Sequence, residues 1–147
     1  MRIILYIIFF PFIFIYYMFK KIVGLVISII ELIKTKNIEL ENGKGFRIYI
    51  AGTQYKNDDG TNRQDFIKNC RAGEELVLVR TPSKYDEYGI QIYRQNGECL
   101  GWVPAKFSYE FTTEMDRDRV IKAFFYRKIK PNKNYDYYGG RVMIIKG

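Results

Sequence analysis

Histidine is absent from this 147-residue chain, and cysteine occurs only twice, as Cys70 and Cys99. Without histidine, neither a Ser-His-Asp triad nor a Cys-His pair can form, and the usual general base near neutral pH is missing. Two cysteines so far apart match no zinc-ligand spacing, so we expect two buried thiols and no metal. The single Gly-Gly pair, Gly139-Gly140, is interpreted as a turn and not as part of a phosphate-binding loop. The chain is therefore predicted to be neither an enzyme nor dependent on a cofactor.

The chain carries a formal net charge of +8, from 24 Lys and Arg residues against 16 Asp and Glu. Half of this excess lies in residues 1–36, where basic residues flank apolar sequence as they do beside a membrane span. The other half suits a phosphate-backbone partner, but a chain rich in Ile, Lys, Asn and Tyr also gains such a charge from AT-rich coding. Net charge therefore permits nucleic-acid binding without requiring it.

The longest apolar run extends from Ile3 to Phe19, where every residue is apolar or tyrosine. As a helix it would rise about 25 Å, against a bilayer core of about 30 Å, and its basic flanks can snorkel to cover the difference. A secretory signal peptide would need a small-residue cleavage site, and a small barrel has no room for a helix apolar on every face. The sequence therefore predicts a single-pass transmembrane anchor within residues 1–36. Because lysines follow the run, the globular part should face the cytoplasm.

The globular part is assigned to residues 46–147, after a polar linker at residues 37–45. From Phe46 to Ile50, apolar residues alternate with others, which indicates a strand with one buried face. The pair Asn96-Gly97 between two apolar runs predicts a tight hairpin turn. Residues 76–79 are apolar on both faces, which predicts a central strand covered on both sides. Further strands are predicted from residue 90 to the hairpin and over residues 99–103, 120–129 and 141–145.

Two short helices are predicted between these strands. Thr61 and Gln64 have the spacing of a capping box, and Gly73 is placed to end this first helix. Pro104 opens the second helix, in which apolar residues recur at every fourth position. Six strands and two short helices predict a mainly β (α+β) fold, a small closed or nearly closed barrel preceded by the N-terminal hydrophobic helix.

Five short motifs follow one another through the globular part. They are residues 73–80 (GEELVLVR), residues 81–86 (TPSKYD), residues 89–92 (GIQI), the Asn96-Gly97 pair and residues 100–104 (LGWVP). In this order they resemble the HIRAN domain family, and the resemblance extends over residues 46 to 146. It implies a modified OB-like barrel that binds DNA, notably single-stranded 3′ ends, and that is often fused to helicase-like or nuclease modules.

Carried over by position, the resemblance implies a binding site built from three segments. Tyr55 would supply an aromatic platform near the first strand, Tyr85 and Asp86 would contact the terminal nucleotide, and Trp102 would replace an aromatic residue or histidine of the family. Stacking rings and backbone-following cations together hold a single strand. The cations beside these segments are Lys56, Lys84 and Lys106.

Each of these residues also has a purely structural interpretation. Tyr85 can pack its turn onto the barrel, and Trp102 can belong to the core with its apolar neighbours. Asp86 can accept a hydrogen bond from a terminal sugar hydroxyl or from its own loop backbone. The basic run at residues 127–133 can follow phosphates or be a solvated strand end.

The leading hypothesis is a membrane-tethered, non-enzymatic module that binds single-stranded nucleic acid or DNA ends. The alternative is a membrane-anchored protein-interaction domain that has lost nucleic-acid binding. A third hypothesis is a subunit that supplies DNA recognition to a helicase or nuclease encoded elsewhere. The leading hypothesis requires the rings and cations to lie on one outer wall of the barrel, and inward-pointing rings would exclude it.

Overall fold

The structure, a computed structural model, describes residues 2–41, 45–119 and 121–147, and in the first helix it describes side chains for residues 14–33. That helix is followed by a six-stranded antiparallel sheet with two shorter helices. The elements are α1 (Arg2–Glu41), β1 (Phe46–Tyr49), α2 (Arg63–Asn69), β2 (Glu75–Arg80), β3 (Ile90–Arg94), β4 (Cys99–Trp102), α3 (Ala105–Asp116), β5 (Ile121–Ile129) and β6 (Gly139–Lys146).

Helix α1 contains the segment predicted to cross a membrane. Within the described part of the chain, no helix combines the length and the apolarity that a bilayer crossing needs. The predicted transmembrane anchor is therefore not supported, and the side chains of residues 3–13 of that prediction lie outside the described residues. Helix α1 also continues through Glu41, into the predicted linker. Glu and Leu in this stretch favour helix, which polarity alone did not reveal.

The sheet has the strand order β1-β6-β5-β2-β3-β4 and curls into a half-barrel. Its two ends meet at one isolated bridge, where the Ala51 amide donates to the Trp102 carbonyl at 2.8 Å and the Trp102 amide donates to the Ala51 carbonyl at 2.9 Å. Gly101 makes this approach possible, because a Cβ there would lie 2.4 Å from the Ala51 carbonyl oxygen. The predicted six strands are confirmed, and closure depends on a single bridge.

A second seam lies between β2 and β5. Their register comprises two pairs, Glu75 with Phe124 and Leu76 with Ala123. The other neighbouring strands pair over longer stretches, up to eight pairs between β5 and β6. Two further main-chain hydrogen bonds extend the seam, since the Phe125 amide donates to the Glu74 carbonyl at 2.7 Å and the Gly73 amide donates to the Phe125 carbonyl at 2.8 Å. The sheet therefore consists of two three-stranded halves, β1-β6-β5 and β2-β3-β4, joined by this seam and by the Ala51–Trp102 bridge.

The core lies inside the curl, where alternate residues of each strand point inward. Ile48, Val142 and Phe125 are buried there, and α3 contributes Phe111. The Phe46 and Phe111 rings lie 5.4 Å apart, centroid to centroid, as expected for the predicted apolar stripe of α3. Strand β2 is central, as predicted.

Three local predictions were wrong in detail. The N-cap of α2 is Asn62 and not Thr61, and its side chain accepts from the Gln64 amide at 3.0 Å. The Gln64 side chain instead bonds the main chain of Thr53 and Tyr138, so it joins α2 to two distant segments. Val77 and Val79, read as covered on both sides of β2, are exposed because their side of the sheet faces outward.

The pair Gly139-Gly140 opens β6 and does not form the predicted turn. The chain reverses earlier, where Asn132 and Tyr135 form a bridge. A Cβ on Gly140 would lie 2.7 Å from Ile50 Cδ1 and 3.0 Å from Phe125 Cε2. This glycine is therefore needed for packing, which a sequence pattern read as a turn does not reveal.

Cys70 and Cys99 are both free and buried, so the prediction of two buried thiols is confirmed. Burial raises the pKa of the Cys70 thiol to about 12, helped by the negative charge of Glu74. Burial also raises the pKa of Cys99. Because the thiolate is the reactive form, both thiols should be inert in the folded chain.

We expect neither thiol to react with a disulfide-exchange dye at pH 8 until denaturant is added, and both to react afterwards. The exposed variant Lys133→Cys serves as a control and should gain one fast-reacting thiol. Rapid labelling of the native wild-type chain would contradict the buried positions of both cysteines.

Replacing Gly101 by alanine should destabilise the fold strongly, since the new Cβ meets the Ala51 carbonyl and the residue has a φ of +142°. Overpacking of this kind lowers the free energy of unfolding by about 1–3 kcal/mol. Each kcal/mol lowers Tm by roughly 4–8 °C in a domain of this size. Gly60→Ala is the matched control, because Gly60 has a φ of +83° but open space around it. Thermal denaturation should rank Gly101→Ala well below Gly60→Ala, and equal losses would argue against the close approach.

Candidate nucleic-acid interface

The bridge between Ala51 and Trp102 places the tryptophan ring on the outside of the barrel. In antiparallel strands, directly opposed residues point to the same side of the sheet. Trp102 is opposed to Ala51 and Gln91, and Gln91 is opposed to Val79. Their sequence neighbours, such as Ile50, belong to the buried core, so this row faces outward. Trp102 is accordingly half-buried and not a core residue.

Two glycines bring other segments against opposite edges of the Trp102 indole. A Cβ on Gly52 would lie 3.5 Å from Trp102 Cδ1 and 3.6 Å from Tyr55 Cδ2. A Cβ on Gly89 would lie 3.2 Å from Trp102 Cζ3 and 3.2 Å from the Asp86 carbonyl oxygen. The Tyr55 turn and the loop that contains Tyr85 and Asp86 therefore meet at Trp102, so the structure brings the three predicted segments together.

Side chains of the loop over residues 81–89 form hydrogen bonds to the loop's own main chain. Ser83 Oγ accepts from the amides of Tyr85, at 3.2 Å, and Asp86, at 3.1 Å. Asp86 Oδ1 accepts from the Tyr88 amide at 3.0 Å, so the turn role considered for this carboxylate is present. Its second oxygen has no hydrogen bond to any described residue. The loop holds Tyr85 outward at 86% exposure, with Lys84 Nζ 4.8 Å from the ring centroid.

A buried arginine fixes the segment that carries Tyr55 and Lys56. Arg63 Nη1 donates to the Gly52 carbonyl at 3.0 Å, and Arg63 Nε donates to Asn57 Oδ1 at 2.5 Å. Tyr55 remains 62% exposed, and Lys56 is exposed where its main chain bridges to Asn62. Sequence reasoning missed Arg63, because nothing in the sequence marks which surface-type residue becomes buried.

A cleft of about 740 Å³ lies along one side of Trp102, and three acidic residues contribute to its lining, so we name it the acidic cleft. Gln91 Oε1 accepts from Tyr93 Oη at 2.7 Å and from Thr81 Oγ1 at 3.2 Å, which orients its amide group. The Thr61 hydroxyl and the Thr61 amide both donate hydrogen bonds to the Asp59 carboxylate, and the hydroxyl has the larger effect. These bonds lower the pKa of Asp59 and keep it ionised. The acidic residues that line the cleft are Asp58, Asp59 and Glu98, and of these Glu98 is ion-paired with Arg94.

A second cleft, of about 500 Å³, adjoins the Gly52 turn, and we name it the tyrosine cleft because three tyrosines line it. Tyr49 forms one part of it, and the Tyr135 and Tyr137 rings, with centroids 5.8 Å apart, form another. Lys106 Nζ lies 5.9 Å from the centroid of the Tyr49 ring, which places this predicted cation next to the second cleft.

Sequence reasoning missed Tyr49 as a site residue. The signal was present, because Tyr49 lies between the inward positions Ile48 and Ile50 and so had to face outward. Tyr135 and Tyr137 had no comparable signal, since a tyrosine-rich loop has no specific meaning until its partner is known.

Comparison with known proteins gives one family and two similar folds. The HIRAN domain family model matches residues 44–142. The crystal structure of the HIRAN domain of human HLTF is 18% identical, with 70% of this chain and 75% of that chain covered and a TM-score of 0.49. A structure from Lactobacillus plantarum is 15% identical, with 67% and 91% covered and a TM-score of 0.49. No curated protein matches the chain.

Proposed function

Because this chain belongs to the HIRAN domain family, we propose that it binds a single strand of DNA at or near its 3′ end and carries out no chemistry itself. The observation that carries this proposal is the meeting of three segments at Trp102, which presents its ring outward between the Tyr55 turn and the Tyr85 loop. DNA-end binding is the activity that the family implies, and the arrangement of rings supports it.

The exposed tyrosine rings of the site can stack on nucleic-acid bases. Stacking of one base on an aromatic side chain contributes about 1–3 kcal/mol and tolerates any base. Tyr85 and Tyr55 are exposed, and both lie in turns whose main chain is fixed by hydrogen bonds. Little loop ordering is then needed on binding, and loop ordering is one of the costs of association.

The acidic cleft favours a strand end that has a free hydroxyl. A 3′-hydroxyl can donate a hydrogen bond to a carboxylate, whereas a 3′-phosphate is repelled by it. Asp86 has one oxygen without a described partner, and Asp58 and Asp59, which make no ion pair with a described residue, line the neighbouring cleft. A continuous strand would have to place phosphates there, so the charge pattern supports an end and not the middle of a strand.

We expect the full chain to bind a single-stranded oligonucleotide, with a change in the fluorescence of its one tryptophan. Tyr85→Ala should weaken binding roughly 5–150-fold, because one base loses its stacking partner. Tyr17→Ala is the matched control, since Tyr17 is 64% exposed but lies on α1. Equal effects of the two substitutions, or no binding at low salt, would contradict the proposal and favour a protein-interaction domain.

The end preference should appear when two oligonucleotides differ only in a 3′-hydroxyl or a 3′-phosphate. We expect the phosphate form to bind about tenfold more weakly because of charge repulsion. Asp86→Asn should reduce that ratio without breaking the loop, since an Asn oxygen can still accept from the Tyr88 amide. A wild-type chain that binds both ends equally would rule out recognition of the hydroxyl.

A further inference from the structure

The outer surface continues from Tyr49 into two arginines on the neighbouring strands. Tyr49 of β1 is directly opposed to Arg141 of β6, and Arg141 is opposed to Arg127 of β5. The adjacent inward residues, including Ile48 and Val142, are core residues, so all three side chains face outward. Both arginines are exposed. We name Tyr49, Arg141 and Arg127 the basic row.

The strands that carry the basic row contain no acidic residue at all. Strands β1, β5 and β6 read FRIY, IKAFFYRKI and GGRVMIIK. Like charges directly opposite each other destabilise a sheet, and neither Arg127 nor Arg141 makes an ion pair with any described residue. Glu31 of α1 lines a cleft together with Arg127, whereas Arg141 lines none with a described carboxylate. Two opposed guanidinium groups without a bound carboxylate are an arrangement that a bound anion would stabilise.

The basic row lies next to the site at Trp102. Tyr49 lines the tyrosine cleft together with Ala51 and Gly52, and Ala51 is the residue bridged to Trp102. Farther along the same outer face of β6, Met143 and Ile145 are buried, at 3% and 8% exposure. On β6, the open part of this face is therefore the end beside the site.

The dimensions of the basic row fit a few nucleotides. Tyr49 and Arg127 are two strand spacings apart, about 10 Å, and stacked nucleotides advance by about 3.4 Å each. The row therefore covers roughly three stacked nucleotides, and its two arginines can contact about two of their phosphates. The acidic cleft lies on the Tyr85 side of Trp102, and the basic row starts on the Tyr49 side. If the 3′ end of a strand binds in the acidic cleft, the phosphates on the 5′ side of that end reach the two arginines.

We propose that the basic row is a phosphate track for the nucleotides that lie 5′ of the bound end. The inference rests on the proposed function, because it assigns a direction and a minimum length to the strand held at Trp102. The ligand is a run of phosphodiesters in the same single strand, and the track recognises it without reading its sequence.

The test compares a trinucleotide with a decanucleotide that ends in the same three 3′ residues, both titrated into the full chain at several salt concentrations. The wild-type chain should bind the longer strand about tenfold more tightly and with a steeper salt dependence. The double variant Arg127→Gln/Arg141→Gln should lose this gain and reduce the salt slope by about 0.7 for each lost phosphate contact. Its affinity for the trinucleotide should stay unchanged.

The control variant Arg71→Gln/Arg117→Gln removes two charges from exposed positions outside the sheet and should keep the full length dependence. Thermal denaturation of the row variant should show no loss of stability, since it removes a like-charge pair. A control that loses affinity as much as the row variant would overturn the track, and so would equal binding of short and long strands by the wild type. Failure of the trinucleotide itself to bind would instead overturn the proposed function.

Discussion

Two main-chain hydrogen bonds between Ala51 and Trp102 join the ends of the six-stranded sheet, and the site depends on them. They bring the end of β4 beside the residues that follow β1, although the two segments are far apart in sequence. Gly101 permits the contact, since any side chain there would meet the Ala51 carbonyl. With the ends joined, Trp102 turns outward and receives the Gly52 turn on one edge and the 81–89 loop on the other.

Charge is divided across this junction. Carboxylates line the cleft on the Tyr85 side, whereas the three strands on the Tyr49 side contain lysine and arginine without any acidic residue. A polyanion with one uncharged end matches such a division better than a continuous polyanion does. The net charge of +8 does not reveal this division, because a total contains no information on where the charges lie.

Local patterns predicted the strands, both short helices and the Asn96-Gly97 hairpin, because alternation and turn chemistry act over a few residues. Non-local features were out of reach: the partner of Ala51, the packing that requires Gly140, and the position of Lys106 beside Tyr49. The family resemblance named the segments around Tyr55, Tyr85 and Trp102, and the structure brings these three segments together at Trp102. The individual roles of these residues stay predictions, because they concern a ligand.

The short seam between β2 and β5 has a mechanical consequence. The halves are joined on one side by two register pairs with two adjoining hydrogen bonds, and on the other side by a single bridge. Because the other strand pairs of each half have more register pairs, we expect the sheet to open between the halves before either half unfolds. Trp102 and the Tyr85 loop belong to one half, and Tyr49 and Arg141 belong to the other. A bound DNA strand that contacts both halves would hold them together. DNA binding should therefore suppress the opening of the sheet between its halves.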